Sequence, residues 1–370
     1  MFSDFDRFAM TRALELAARG METADPNPRV GCVIAKRDRV IGEGWHRKAG
    51  EAHAEVAALS SLKEDPESST VYVTLEPCSH FGRTPPCANA LLEARVARVV
   101  FAVGDPDPRV SGKGAEVLRS AGIRVESGLM EADAIELNLG YLQRMQYGRP
   151  WVRLKLAMSL DGRTALANGV SQWITSEASR TDVQHWRARS SAILTGAGTI
   201  VSDDPRLDVR LPPEGDEPRR QPMRVILDSR LRTPPGARLF ETGGEVVIMT
   251  SSESPDMARV AQLEARGAQI EAMPIEAAGR VDLMAALQRM AELQANEVLV
   301  EAGPTLAGQL LSRSLIDEML LYIAPKLLGP QARPLVDMQR LDYLEYAPEF
   351  ALEGVKKLGD DLCVRLRPRG

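Results

Sequence analysis

His53-Ala54-Glu55, Glu76-Pro77-Cys78 and Pro85-Pro86-Cys87 supply the residue types of a zinc centre. One imidazole and two thiolates make a three-ligand set with a fourth position left to water, which separates a catalytic zinc from a closed structural one. Zinc in such a site brings the pKa of its water down towards about 7 and makes hydroxide available at neutral pH. Glu55 lies two residues from His53. It reaches that water without ligating, and a carboxylate there takes the proton and hands it to a leaving amine. A proline before each cysteine restrains the backbone that presents the thiolate. The expected ligands are His53, Cys78 and Cys87, with Glu55 as proton shuttle. The alternative is a structural zinc whose fourth position is closed by His46 or His80.

A second set of residues lies beyond position 150. No Gly-x-Gly-x-x-Gly occurs there, so the ordinary dinucleotide fingerprint is missing. Val298 to Leu306 instead reads as a strand running through Gly303 into a helix, where free N–H groups face a diphosphate. RLKLAMSLDGRTAL (153–166) carries Lys155 and Asp161-Gly162 at the end of a buried strand. ILTGAGTIVSDDPRL (193–207) is another Gly-rich strand end, followed by Asp203-Asp204-Pro205.

These residues need elements to hold them. Apolar spacing predicts helices over 5–19, 53–62, 85–94 (with proline in its first turn) and 132–150, and strands over 30–35, 39–45, 71–76, 96–103 and 122–128. The strands at 30–35 and 39–45 read as a hairpin. A second α/β series follows, with strands at 151–159, 191–196, 223–228, 245–250, 268–275, 297–303, 317–325 and 362–368, and helices at 176–189, 256–266, 282–295 and 304–313. Strand–helix alternation indicates an α/β fold in both halves. The basic end VRLRPRG reads as a frayed, solvated tail rather than a phosphate contact.

Composition narrows the function classes. The chain has 370 residues, with 46 Lys+Arg against 51 Asp+Glu and 5% aromatics. That length favours two domains. The mild acidity and scarce aromatics argue against a nucleic-acid partner. No apolar run reaches the ~18–20 residues of a membrane-spanning helix, so no membrane partner is expected. The acidic N-terminus is unlike a signal peptide, and four cysteines make no disulfide framework, so a cytoplasmic location is expected. Cys32 and Cys363 read as core residues.

The conjunction of His-Ala-Glu, Pro-Cys and Pro-Cys matches the zinc nucleobase-deaminase signature, with the usual Cys-x-x-Cys spacing stretched by SHFGRTPP. PNPRVGCVI, GWHRKAGEAHAEVAAL and YVTLEPCSHFGRTPPCANAL strongly resemble the bifunctional riboflavin-biosynthesis deaminase–reductase family, and CSHFGRTPPC looks like that family's version of the cysteine pair. The segments at 153–166 and 193–207 resemble the reductase half, so the resemblance covers nearly the whole chain.

The resemblance implies a cytidine-deaminase-like three-layer α/β/α domain over 1–147 and a dihydrofolate-reductase-like α/β domain over 148–370. It implies one zinc on His53, Cys78 and Cys87, and NADPH in the second domain. Asn27, His46, His80 and Arg83 would line the pyrimidine-nucleotide pocket. Ala157, Trp173, Thr199, Asp203, Ser229, Gly303, Pro304, Thr305, Leu306, Ala307, Gly308 and Gln309 would line the NADPH site. Ser171, Arg187, Leu207, Arg210 and Glu301 would hold the ribose-phosphate substrate, with Lys155 and Asp203 as the catalytic candidates for the reduction. The expected reactions are hydrolytic deamination of 2,5-diamino-6-(5-phosphoribosylamino)pyrimidin-4(3H)-one and then reduction of the ribosyl chain to ribityl. A homodimer through the reductase domain is also implied. Two competing readings are a nucleic-acid-editing deaminase with an accessory domain and a non-catalytic zinc-stapled binding protein.

Overall fold

The computed structural model describes residues 1–79, 85–213, 218–253, 256–276 and 278–369. The chain divides into two compact units, Met1–Gly148 and Arg149–Gly370.

In the first unit, α1 (Asp4–Ala18) begins in a capping box, with Ser3 Oγ accepting from Asp6 N and the Asp6 carboxylate accepting from Ser3 N. The strands β1 (Gly31–Lys36) and β2 (Arg39–Trp45) form the expected hairpin. Its two turn residues, Arg37 and Asp38, both have positive φ, as a type I′ turn requires. There follow α2 (Ala54–Ser60), β3 (Thr70–Leu75), α3 (Cys87–Glu93), β4 (Arg98–Val103), α4 (Lys113–Ser120), β5 (Arg124–Ser127), α5 (Glu131–Leu137) and α6 (Leu139–Tyr147). Among the described residues the sheet has five strands in the order β2-β1-β3-β4-β5, antiparallel as far as β3 and parallel beyond. Helices cover both faces, with α1 and α5 on one side and α2, α3 and α4 on the other, so this unit is a three-layer α/β/α sandwich.

Glycine sets how closely one helix approaches. A Cβ on Gly44 would lie 2.3 Å from Ala58 N. The α2 backbone therefore rests directly on β2, and this contact fixes the segment that carries His53 and Glu55.

The second unit begins with β6 (Trp151–Ser159) and β7 (Arg163–Ala165). It continues through α7 (Glu177–Arg189), β8 (Ala192–Gly196), α8 (Ala197–Asp203), β9 (Met223–Leu227), β10 (Val246–Ser251), α9 (Met257–Glu264) and β11 (Ala268–Met273). The remaining elements are α10 (Leu283–Glu292), β12 (Glu297–Glu301), α11 (Pro304–Ser312), β13 (Glu318–Ala324), β14 (Arg333–Pro334), β15 (Phe350–Leu358) and β16 (Asp361–Pro368). The main sheet runs β11-β10-β9-β8-β12-β6-β13-β16-β15 and is parallel from β11 to β13. The strands β16 and β15 pair antiparallel at its end. Strand residues alternate between two cores: Leu194 and Val225 pack with Leu287 of α10 and Leu310 of α11, and Ile193 and Ile226 pack with Leu263 of α9. Further along that second face, Val183 and Trp186 of α7 cover Leu299, Leu320 and Tyr322.

Several expectations need correction. The helix expected over 132–150 is split at Asn138, whose side chain accepts from Arg29 N and donates to Arg29 O. Lys155 lies in the middle of β6, not at its end. Pro85 and Pro86 precede α3, with Pro86 as its N-cap, instead of occupying its first turn. The last strand expected over 362–368 is β16, so residues 364–368 belong to it and not to the frayed tail, and Arg365 pairs there with the fully buried Glu318. Among the described residues, no helix is long and apolar enough to cross a membrane.

Candidate functional site

His53 is the N-cap residue of α2, Cys87 opens α3, and Cys78 follows β3. The fold brings these three donors together. His53 Nδ1 lies 3.2 Å from Cys87 Sγ and 3.6 Å from Cys78 Sγ, and all three donor atoms fall within 4.8 Å of one another. Donors of a tetrahedral zinc, at about 2.0–2.3 Å from the ion, stand about 3.5 Å apart. The spacing therefore suits zinc, as does the donor set. Among the described residues the group stops at three donors.

Glu55 points into the same place from the first turn of α2. It is buried beside the two cysteines. Burial, and next the Cys78 sulfur, push its carboxyl up to about 7. His46 does not close the fourth position. Its Nε2 meets Asn27 Nδ2 at 3.0 Å and its Nδ1 meets the Ala52 carbonyl at 3.0 Å, so both ring nitrogens are engaged. This pattern calls for the neutral Nδ1–H tautomer, and burial pulls the His46 pKa down in the same sense. His46 is thus a buried wall residue with Asn27 beside it. His80 and Arg83 lie outside the described residues.

Sequence reasoning missed what holds Cys78. The Glu76 carboxylate accepts from Gly112 N at 3.0 Å and Ala115 N at 3.1 Å, capping the start of α4. A Cβ on Gly114 would lie 1.8 Å from the Pro77 carbonyl oxygen. The turn that presents Cys78 is clamped onto α4 by contacts to residues nearly forty positions later, which no local signal shows.

In the second unit a cleft of about 1070 Å³ opens at the C-terminal ends of β6, β12, β8 and β9. It gathers Lys155, Ala157, Ser171, Arg187, Thr199, Asp203, Leu207, Ser229, Glu301, Gly303, Pro304, Thr305, Leu306 and Gln309. Glu301 sits between two cations. Arg187 grips it with Nε at 2.6 Å and Nη2 at 3.0 Å, and Lys155 pairs with it in register across β6 and β12. Burial opposes the Glu301 charge, yet Arg187 and then Lys155 hold its carboxyl below the usual range. Lys155 is half-buried, 5.9 Å from the centre of the Tyr322 ring. Burial draws its ammonium below the ordinary lysine value, and Glu301 pulls it partly back. Leu207 has φ 53, so this bulky residue holds a left-handed backbone at the cleft wall.

Gly303 is the N-cap of α11, with Pro304 as the first helical residue, so free N–H groups open onto the cleft. Gly-rich backbone, a helix start and cationic side chains suit a nicotinamide dinucleotide.

Four expected residues do not join the cleft. Trp173 is 64% exposed and stacks with Arg180, whose guanidinium lies 4.4 Å from the ring centre. Ala307 is buried in the core under α11. Gly308 packs its Cα against the Asp337 backbone, where a Cβ would be 1.9 Å from the carbonyl oxygen. Arg210 pairs with Asp208. Asp203 lines the cleft but is exposed, and its carboxylate accepts from Ser202 Oγ. Thr164, Ser202, Arg230, Arg232, Arg280 and Arg333 line the cleft without having been expected.

Comparison with known proteins covers both units. Residues 3–103 match the cytidine and deoxycytidylate deaminase zinc-binding region, and residues 150–364 match the RibD C-terminal domain. The riboflavin biosynthesis protein RibD of Escherichia coli (strain K12) is 46% identical over 373 residues, covering 98% of this chain and 99% of its own. The chain belongs to the RibD family. The structure of Acinetobacter baumannii RibD superposes with a TM-score of 0.90 at 44% identity, over 99% of both chains. A Thermotoga maritima structure described as a diaminohydroxyphosphoribosylaminopyrimidine deaminase/5-amino-6-(5-phosphoribosylamino)uracil reductase gives a TM-score of 0.85 at 33% identity, again over 99% of both chains. As a RibD family member the chain is a bifunctional deaminase and reductase of riboflavin biosynthesis, with zinc and NADPH as its cofactors.

Proposed function

We propose that residues 1–147 carry the deamination and residues 148–370 the reduction. The first substrate is 2,5-diamino-6-(5-phosphoribosylamino)pyrimidin-4(3H)-one, losing its C2 amine as ammonia. The final product is 5-amino-6-(5-phosphoribitylamino)uracil. The observation that carries the first half is one imidazole nitrogen 3.2 and 3.6 Å from two cysteine sulfurs with a buried glutamate alongside.

His53, Cys78 and Cys87 would hold zinc, which when bound would supply the Lewis acidity that makes water nucleophilic at neutral pH. Glu55 takes a proton from that water and delivers it to the departing amine, a role that suits a carboxylate beside the metal but outside its ligand set. Asn27 spends its Nδ2 on His46. Its Oδ1 is left to accept from an amino group of the base. His46, neutral and tied at both nitrogens, fixes that amide.

In the second unit the cleft residues would hold NADPH, which when bound would supply a hydride for C1′ of the sugar after its ring has opened to the C1′=N form. Lys155 gives a proton to the ring oxygen as its bond to C1′ breaks, so the opened C1′=N group, left protonated on nitrogen, can take the hydride. The half-buried place of Lys155 beside Glu301 supports this role over the exposed Asp203. Glu301 favours the Lys155 ammonium against the pull of burial, and Arg187 keeps Glu301 in place.

The proposal includes a cytoplasmic homodimer formed through the reductase domain. Four free cysteines support a reducing compartment. Exposed Leu352, Val355 and Leu362 on the two antiparallel strands at the sheet's end support an interface there. Sedimentation of the protein tests the dimer.

For the deaminase assignment the test is Glu55→Gln. Zinc content is expected to stay at one per chain while ammonia release from the diaminopyrimidine falls by about 10²–10⁴-fold. Undiminished ammonia release would remove Glu55 from the mechanism.

A further inference from the structure

Asp161-Gly162 stands just past β6 and has no part in the chemistry drawn above. The Asp161 carboxylate accepts from Ser159 Oγ within its own turn. It also accepts from Leu328 N at 3.1 Å and Gly329 N at 2.7 Å, on a stretch that begins 167 residues further along. Ser159 is fully buried, and its Oγ in turn accepts from Arg163 N at 3.1 Å. The Ser159 hydroxyl, and after it the Leu328 and Gly329 amides, hold the Asp161 carboxyl down at about 2, so the acceptor carries its charge throughout the working range. Gly162 and Gly329 have φ 72 and 88, so both stretches turn beside the carboxylate in a backbone that glycine adopts most readily.

The two stretches tied there are both walls of the reductase cleft. The first runs from Leu160 through β7 and contributes Thr164 and Ser171. The second runs from Pro325 through β14 and contributes Arg333, Leu335 and Asp337. They pair along β7 and β14, but those strands have only three and two residues, and so short a two-stranded ribbon is marginal in water. Other contacts reinforce the tie. Leu160 N donates to the Lys326 carbonyl and Lys326 Nζ to the Trp173 carbonyl, each at 2.8 Å. The far end of the second stretch is fixed where Asp337 N donates to the Pro304 carbonyl at the start of α11. Lys155 and Glu301 lie instead on the paired strands β6 and β12, held by their own ladder.

We infer that Asp161 is a positioning residue of the reductase cleft, tying its two walls together so that they stand ordered before NADPH and the sugar phosphate arrive. Walls left loose must be ordered by the ligands themselves, which weakens binding and leaves the reacting groups as they are. The inference rests on the cleft being the reductase site.

The test uses the full-length protein with the deaminated intermediate supplied. Asp161→Ala is expected to raise KM for NADPH and for the sugar substrate about tenfold, with kcat within about twofold of the unmodified protein. A role in folding alone would instead lower the active fraction, and so kcat, at unchanged KM; that result overturns the inference. Asp161→Asn keeps an oxygen for the Leu328 and Gly329 amides and an NH2 that can donate to Ser159 Oγ, so its KM values should fall between. An asparagine variant no better than alanine also overturns it. Gly329→Ala disturbs the other side of the same tie, so the double variant Asp161→Ala/Gly329→Ala should be no worse than the worse single one, and additive effects refute a shared tie. Should these variants not fold, hydrogen exchange of the unmodified protein decides. The Leu328 and Gly329 amides must exchange slowly before any ligand is added, and fast exchange there sinks the pre-ordered tie. Lys155→Ala in the same assay separates this claim from the reading beneath it. If that variant keeps its full rate, the cleft reading fails. If it is inactive while Asp161→Ala shows unmoved KM values, only the tie fails.

Discussion

In the first unit the reactive atoms come from three short stretches, His53-Ala54-Glu55 at the start of α2, Cys78 after β3 and Cys87 at the start of α3, and they meet within a few ångströms. In the second unit they are strung along a cleft, from Lys155 on β6 through Glu301 on β12 to Ser229 beyond β9. A metal demands donors at bond length, so the first site is compact and either assembled or lost. A dinucleotide is long and held by many weaker contacts, so the second site is spread over several strand ends and tolerates the loss of one. The first depends on packing that aims two sulfurs, and the second on charges that balance each other.

The largest expected effect that separates the two sites is metal removal. Exhaustive chelation of the purified protein should abolish ammonia release while NADPH oxidation continues with the deaminated intermediate supplied. Loss of both activities together would show that the second unit also needs the ion. Next in size, Lys155→Ala should cut NADPH oxidation by about 10²–10⁴-fold and leave ammonia release alone. A full-rate variant would exclude Lys155 as the proton donor.

A smaller effect probes the clamp on Cys78. Gly114→Ala places a methyl against the Pro77 carbonyl, so either α4 or the Cys78 turn must shift. The expected cost is about 1–3 kcal/mol in unfolding of the first unit, with weaker zinc binding read by competition with a chromophoric chelator. Zinc affinity equal to that of the unmodified protein would mean the turn is held by other contacts.

The smallest change is a pH shift. Lys155 must be protonated to donate, so reduction is lost as pH rises through its depressed pKa. Glu301 faces Lys155 and raises that pKa, Arg187 lowers it, and the Tyr322 ring lies on its other side. Removing the Glu301 charge in Glu301→Gln should therefore move the alkaline limb of NADPH oxidation to lower pH. A limb that stays put or moves up would contradict the coupling.

The contrast between the units also explains what was legible in the sequence. His53, Glu55, Cys78 and Cys87 stand out because metal chemistry restricts residue type and prolines mark the turns. Their support does not stand out. The helix α4 was not expected, since Gly112 and Gly114 weaken helical propensity at its start and the carboxylate that caps it comes from Glu76. The same holds for α8, which opens with Gly196 and contains Gly198. Apolar runs located the central strands of the second unit to within a residue or two, because strands buried on both faces are apolar throughout. The strand β15 escaped notice: FALEGVKKL lies at the sheet edge, largely exposed, with no alternating pattern. Within the cleft, residues carried over by resemblance divided according to burial. Backbone-rich positions such as Gly303 and Leu306 line it, but Ala307 and Gly308 face the core because every helix has an inner side.

The strand β16 is not at the margin of its sheet but lies between β13 and β15, and its Arg365 neutralises the buried Glu318. During synthesis, β13 therefore lacks its neighbour, and Glu318 one of its counterions, until residues 361–368 have left the ribosome. The first unit is closed by residue 148 and is free to fold while more than half of the chain is still untranslated. Deamination competence should consequently arise on nascent chains well before reductive competence.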